Sequence, residues 1–407
     1  MTRVTSDRET LANARLWLAF ASMLFVSGIT NVFPVFFPAL LAEFGGSRGA
    51  TAATVSLCWI GGAVLGPIAG FLVARGNPRA VAMTGLTGAA AGMLLGTAAP
   101  TLTAFVLAVG MGAGMGVGLT GIATQASLLA DIYHRRRGVA MGIAFSGSMA
   151  AYAVAPLMHS VIERSGWRTA LGLYGGAVCV LIPLAWRILP TRLQSAPAPG
   201  TRPLTEPNPS VGQILVSPPF AMLFLAFTTP PMFGYLATTQ HALYFPARGL
   251  SAEEASMMLA VGGVLSASGR MLAGVAADRL GAAPTGFLSF SLSLLGMACL
   301  FAFEAWPLRA LAYGYVVFLF LPLGSRATIF SVLVSRITPP AHYGVIFGIL
   351  GIGNNLGAAA GPWLSGVLYD RTGSYGAIYL WATGVGLFGL ATLTGFVLMT
   401  GGARRAG

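Results

Sequence analysis

The chain has 407 residues, 56% of them hydrophobic and only 8% charged, with a formal net charge of +12. Soluble domains carry about 25% charged residues, so a water-soluble globule is excluded and a polytopic membrane protein is expected. The positive balance does not point to nucleic acid, because the arginines form no soluble patch interleaved with aromatic residues.

Apolar runs of about 20 residues, the length that crosses a bilayer core, fall at 15–41, 51–74, 79–99, 101–130, 138–162, 167–189, 217–245, 253–278, 284–303, 307–335, 342–368 and 375–399. This pattern predicts an all-α membrane protein with about twelve transmembrane helices and both termini on one side. The arginines ahead of the first run are not read as a signal peptide, since the run is too long and no small-residue cleavage pattern follows it. All 23 basic residues are arginine. Fifteen fall on the side of the amino terminus and six, Arg48, Arg164, Arg168, Arg248, Arg309 and Arg371, on the other. By the positive-inside rule both termini are expected in the cytoplasm, with the protein in the cell (inner) membrane. Cys58, Cys179 and Cys299 lie within apolar runs and read as small hydrophobes.

The first span carries Asn31 and Phe33, then Pro34 and Pro38. Prolines free backbone carbonyls, which suits either a packing kink or a bend lining a polar cavity. The fourth span holds Gly110, Gly112, Gly114, Gly116, Gly118 and Gly121, a row that lets helix backbones approach closely. A phosphate loop would need a preceding strand and a soluble helix, and neither is present.

Gly70 to Arg75 and Gly274 to Arg279 share the pattern Gly-x-x-x-[Ala/Asp]-Arg at an offset of 204. Gly138-Val-Ala-Met-Gly142 with Pro156 matches Gly344-Val-Ile-Phe-Gly348 with Pro362 at an offset of 206. An internal duplication is the economical explanation. It divides the chain into six-helix halves at 1–190 and 212–407, joined by a proline-rich cytoplasmic linker at 191–211.

In the second half, the seventh span has Pro230-Pro231 and ends near Gln240-His241, and the eleventh has Asn354-Asn355. Arg270 in the eighth span lies eight residues inside the boundary marked by Asp278-Arg279, roughly 12 Å at ~1.5 Å per residue. Arg326 in the tenth lies roughly 15 Å inside Arg336 by the same measure. The eleven acids all fall in the tail, the linker, loops or helix ends, so no carboxylate answers these two arginines at the midplane. A charge at that depth costs a few kcal/mol or more and is retained where it meets a cavity, a partner or a substrate. The expectation is an organic anion clamped by Arg270; the other reading has the arginines on freed carbonyls or snorkelling to water.

Two six-helix halves with Gly-x-x-x-Asp-Arg-x-Gly after the eighth span resemble the major facilitator superfamily over essentially the whole chain. Several stretches resemble the branch holding monocarboxylate transporters and oxalate:formate antiporters: Tyr133-His-Arg-Arg-Arg-Gly138, Gly166-Trp167-Arg168, Gln240-His241, Gly269-Arg270, Gly361-Pro362 and Asp370-Arg-Thr-Gly-Ser-Tyr375. The resemblance implies two pseudo-symmetric six-helix bundles, the major facilitator fold, and gives Arg270 the role of holding the substrate carboxylate. It also makes Asp278 and Arg279, with Arg75 and Arg79, a conformational latch. The pattern departs where animal monocarboxylate carriers have an aspartate one turn before the arginine and a lysine in the first span. Here Ser266 stands at the former position, and there is no lysine.

The function expected is therefore secondary active transport of a small monocarboxylate such as lactate or pyruvate, proton-coupled, by alternating access. Ser266, Arg326, Asn31, Asn354, Asn355 and Phe33 are the expected further substrate contacts. His241 and His159 are expected as proton-coupling or gate residues, since imidazole titrates near neutral pH. The partners are the anion, a proton or counter-anion, and the lipid bilayer; no cofactor and no metal are expected. An anion or dicarboxylate exchanger, an efflux carrier for a drug or metabolite, and an anion sensor that moves nothing remain alternatives. An enzyme is not expected, for the spans offer no paired carboxylates, metal-spaced histidines or nucleophile with a base.

Overall fold

A backbone in lipid must satisfy its own hydrogen bonds, which leaves helices as the available building unit for a chain of this pattern. The computed structural model describes residues 2–75, 77–133, 137–193, 209–339 and 342–402, and every regular element among them is helical. Eleven helical runs are long and apolar enough to cross a membrane. One, Val139–Ile188, is two helices joined at Gly166, whose φ of 81° is open mainly to glycine, so it makes two passes. The described residues thus hold the twelve expected passes.

The chain divides into two compact units, Met1–Ala196 with Ser251–Ala260, and Pro197–Leu250 with Val261–Gly407. The first contains α1 (Thr2–Ser22), α2 (Ile29–Phe44), α3 (Arg48–Arg75), α4 (Pro78–Thr97), α5 (Leu102–Leu119), α6 (Ile122–Ala130), α7 (Arg137–Ala150) and α8 (Ala155–Ile188). The second contains α9 (Val211–Leu215), α10 (Pro218–Thr238), α11 (His241–Ala247), most of α12 (Ala252–Leu280), α13 (Ala282–Ala305), α14 (Arg309–Leu323), α15 (Arg326–Val334), α16 (Tyr343–Thr372) and α17 (Tyr375–Gly402). Most of the expected linker, 194–208, lies outside the described residues, as do residues 134–136 of the arginine-rich stretch.

Glycine rows set the packing within each unit. On α5, Gly114 and Gly118 face α3, where an added Cβ would lie 3.3 Å from Gly61 Cα at the first and 2.5 Å from Leu65 Cβ at the second; Gly112 faces α4, where such an atom would lie 2.5 Å from Gly92 Cα. In the second unit Gly353, Gly357 and Gly361 of α16 receive α10 around Pro230-Pro231. The Ala226 carbonyl, which loses its partner to Pro230, accepts Thr229 Oγ1 at 3.3 Å. Pro34 and Pro38 do not break their helix: α2 runs through both, and the irregular turn is a π-helical one at Met23–Ser27. There Gly28 packs so closely on Ala151 that an added Cβ would sit 2.2 Å from the alanine's own.

Among the spans whose helix is interrupted, the fourth and the tenth break at matching places. The fourth stops at Leu119 and resumes at Ile122; the tenth stops at Leu323 and resumes at Arg326. The separation is 204 residues, the offset of the Gly-x-x-x-[Ala/Asp]-Arg repeat.

Candidate functional site

The interruption of the tenth span, Gly324 and Ser325 just after Pro322, is where the second unit collects its intramembrane charge. A Cβ on Gly269 of α12 would lie 1.7 Å from the Leu321 carbonyl oxygen, and one on Gly324 would lie 2.0 Å from that of Ser266. Only glycine at both positions lets α12 and the break come into backbone contact. One residue past Gly269, the half-buried Arg270 donates Nε to the Gly324 carbonyl at 3.3 Å. Its two terminal nitrogens have no partner, and no carboxylate pairs with it, among the described residues. Ser266, one turn earlier, is fully buried and its hydroxyl lacks a partner among the described residues.

Arg326 opens α15 and is 4% exposed, so it does not snorkel. Its Nε donates to Ser289 Oγ at 3.4 Å and its Nη2 to Ser293 Oγ, both on α13. The guanidinium lies 4.7 Å from the Phe233 ring and 5.2 Å from Phe290. Nη1 is sealed from solvent and has no hydrogen-bond partner among the described residues. A cation at a helix N-terminus opposes the helix dipole, so hydroxyls and aromatic faces must compensate.

The remaining expected residues are placed elsewhere. In the second unit Asn354 and Asn355 are half-buried and make no hydrogen bond among the described residues. His241 is buried, its ring 4.6 Å from Phe245 and 5.9 Å from Tyr315. The preceding Gln240 ties α11 to α16 by donating Nε2 to the Ser365 carbonyl at 2.8 Å. In the first unit Asn31 donates Nδ2 to the Ser148 carbonyl at 2.8 Å, and the Phe33 ring packs edge-on against Phe37 at 5.9 Å. His159 Nε2 lies 3.4 Å from Glu163 Oε1. Among the expected latch residues, Asp278, Arg279 and Arg75 are exposed and form no ion pair among the described residues. Arg75 stacks on Phe71 at 4.3 Å, and Arg79 donates Nε to the Leu189 carbonyl at 2.7 Å, closing the end of α8.

Sequence reasoning did not single out the serines around Arg326. The available signal was the spacing of Ser289 and Ser293, which puts both hydroxyls on one face of a helix. Nor did it join Glu304 to Arg248 and Tyr244. Arg248 forms an ion pair with Glu304, and Tyr244 donates to the same carboxylate at 3.0 Å, so the three staple the ends of α11 and α13.

The Major Facilitator Superfamily model matches residues 18–325 and 247–405. Among curated relatives, the chain is 28% identical to human (Homo sapiens) monocarboxylate transporter 11 over 393 residues, covering 89% of this chain and 79% of the relative. It is 29% identical to monocarboxylate transporter 13 of Rattus norvegicus, covering 89% and 83%. Identity to monocarboxylate transporter 3 of the same species is 27%, covering 89% and 76%. Among solved structures, a bacterial homolog of the human lysosomal transporter Spinster, inward-facing and unoccupied, superposes with a TM-score of 0.66. That match covers 97% of this chain and 95% of the other at 15% identity, a likeness of fold. This chain belongs to the Major Facilitator Superfamily, as a transporter and not an enzyme, and within it resembles the monocarboxylate transporters.

Proposed function

We propose that this protein moves a small monocarboxylate such as lactate or pyruvate across the membrane by alternating access, with Arg270 as the clamp for the carboxylate. One observation carries the reading: Arg270 is held by Nε alone, with its two terminal nitrogens unpartnered among the described residues. A guanidinium stays ionised in almost any surroundings and presents paired donors that match a carboxylate. Ser266 stands where related carriers have an aspartate, so the arginine is not neutralised from within its own helix and the substrate supplies the counter-charge. The names of the relatives support the same substrate class.

Ser266, Asn354 and Asn355 are proposed to read the substrate's remaining polar groups in the second unit. Entry with a proton would prevent accumulation of negative charge, and His241 is the proposed titrating group. Exchange of anions is the second reading, favoured by Nη1 of Arg326, which has no hydrogen-bond partner among the described residues. The cytoplasmic membrane with both termini inside is the proposed location, from the arginine bias.

The test is uptake of labelled lactate and pyruvate by proteoliposomes holding the purified protein, with and without an inward proton gradient, beside Arg270→Ala. Uptake raised by the gradient and lost in the variant supports the proposal. Acceleration by internal anion without a gradient effect selects exchange. If neither acid moves or competes, or if the variant transports normally, the reading is wrong.

A further inference from the structure

The two guanidiniums of the second unit are linked through the break they flank. Ser289 Oγ, which accepts from Arg326 Nε, lies 3.1 Å from Ser325 Oγ and 3.4 Å from the Pro322 carbonyl oxygen. Ser325 Oγ donates to the same carbonyl at 2.6 Å. The segment between Pro322 and Arg326 is therefore pinned to α13 by one rung of hydroxyls, and within it lies Gly324, whose carbonyl takes Arg270 Nε. On the far side, Phe233, Phe290 and Ser293 hold the Arg326 guanidinium itself in place.

The first unit shows how such a break is closed without charge. There the Leu119 carbonyl accepts Thr124 Oγ1 at 2.7 Å and the Thr120 carbonyl accepts Gln125 Nε2 at 3.1 Å, both donors five residues along the same chain. At the offset of 204, Gly324 matches Thr120 and Ile329 matches Gln125. Isoleucine has no donor, so the Gly324 carbonyl is left for Arg270. Ile122, the match of Arg326, is 58% exposed and pins nothing, whereas Arg326 turns inward to the serines.

We propose that Arg326 is a positioning residue for Arg270: through Ser289 and Ser325 it fixes the segment from Pro322 to Ser325 that holds the break, and with it the carbonyl that aims the Arg270 fork. The inference rests on Arg270 as the anion clamp and assigns Arg326 a role apart from contact with the anion. A long, delocalised donor suits this, because one guanidinium reaches two serines while lying between two rings. Groups that act through one another give non-additive effects in double variants, which separates this role from an independent one.

The test pairs two measurements on the full-length protein, with pyruvate as the probe. Amide hydrogen exchange over residues 321–329 reads the brace directly. Arg326→Met and Ser325→Ala are expected to speed it at least tenfold, and Arg326→Lys less, while exchange in 117–126 stays as in the parent. Equilibrium binding reads the consequence. Arg326→Met and Ser325→Ala each weaken pyruvate binding about tenfold, yet add nothing further in an Arg270→Gln background. Unchanged exchange in both variants overturns the brace, and additive losses with Arg270→Gln overturn action through Arg270. Should Arg270→Gln alone leave pyruvate binding intact, the clamp reading fails, and the exchange measurement still decides the brace. If Arg326→Met does not fold, Ser325→Ala, which keeps both arginines, carries the decision.

Discussion

The fourth and tenth spans break at equivalent positions of a duplicated chain and close the break in opposite ways. In the first unit the freed carbonyls are taken by Thr124 and Gln125 of the same segment, with Gly66 at the position matching Arg270 and Ile122 matching Arg326. In the second unit the donor comes from another helix and carries a full charge, and the next charge is anchored by serines of a third. A break that caps itself needs no neighbour and can be neutral. One that borrows Arg270 places an ionised fork in the membrane with only part of it engaged. The difference concentrates the candidate chemistry in the second unit although the backbone plan is shared.

Substitutions at matched positions can break or sharpen this contrast. The largest effect is expected at Gly324, where an alanine Cβ would fall 2.0 Å from the Ser266 carbonyl oxygen. Gly324→Ala should cost about 3 kcal/mol, the upper range for overpacking, and lower the thermal midpoint accordingly. The matched Thr120 already bears a side chain, and Thr120→Ala should forfeit its hydroxyl bond to the Gly116 carbonyl and the methyl packed at Gly85, a smaller loss. Equal losses at the two positions would show that the helix contact at Gly324 is looser than described.

A middle effect belongs to the neutral break. Gln125→Leu leaves the Thr120 carbonyl unsatisfied, which costs about 2 kcal/mol for a buried group. Denaturation of the purified protein should register this, with pyruvate affinity held within about twofold given that the same order of cost falls outside the charged break. A selective collapse of affinity at unchanged stability would place the substrate chemistry in the first unit instead.

The smallest effect is expected from Ile329→Gln, which offers the Gly324 carbonyl a self-contained cap like that of Gln125. Competition with Arg270 for that carbonyl, on the order of 1 kcal/mol, should weaken pyruvate binding a few-fold. An affinity identical to the parent's would mean that the carbonyl does not help aim the arginine.

Much of the frame was legible in the sequence because its signals are repetitive. Twelve apolar runs and the 204-residue repeat each depend on composition or period, and the order of helices follows them. Arg270 was legible as well, since an arginine amid an apolar run is conspicuous against a background without lysine. What could not be read was the tertiary chemistry around it. The break at 120–121 has no proline, and Pro322 at the other lies inside a run long enough to span, so span length alone predicted unbroken helices. The serines under Arg326 come from a different helix, and which face of α13 they meet is decided by packing. The prolines of the first span misled in the other direction: the irregular turn falls at Met23–Ser27, where Gly28 sits against Ala151.

The account stands on the unengaged end of Arg270, and the most direct test is a binding titration of pyruvate to the purified protein and its Arg270→Gln and Arg270→Lys variants. Removing one partner of a hydrogen-bonded charge pair costs about 2–5 kcal/mol, so Arg270→Gln should bind at least about 30-fold more weakly. Arg270→Lys, which keeps the charge but loses the fork, should recover only part of the affinity. Saturable binding of equal strength in the parent and in Arg270→Gln, with both folded, would contradict the central claim.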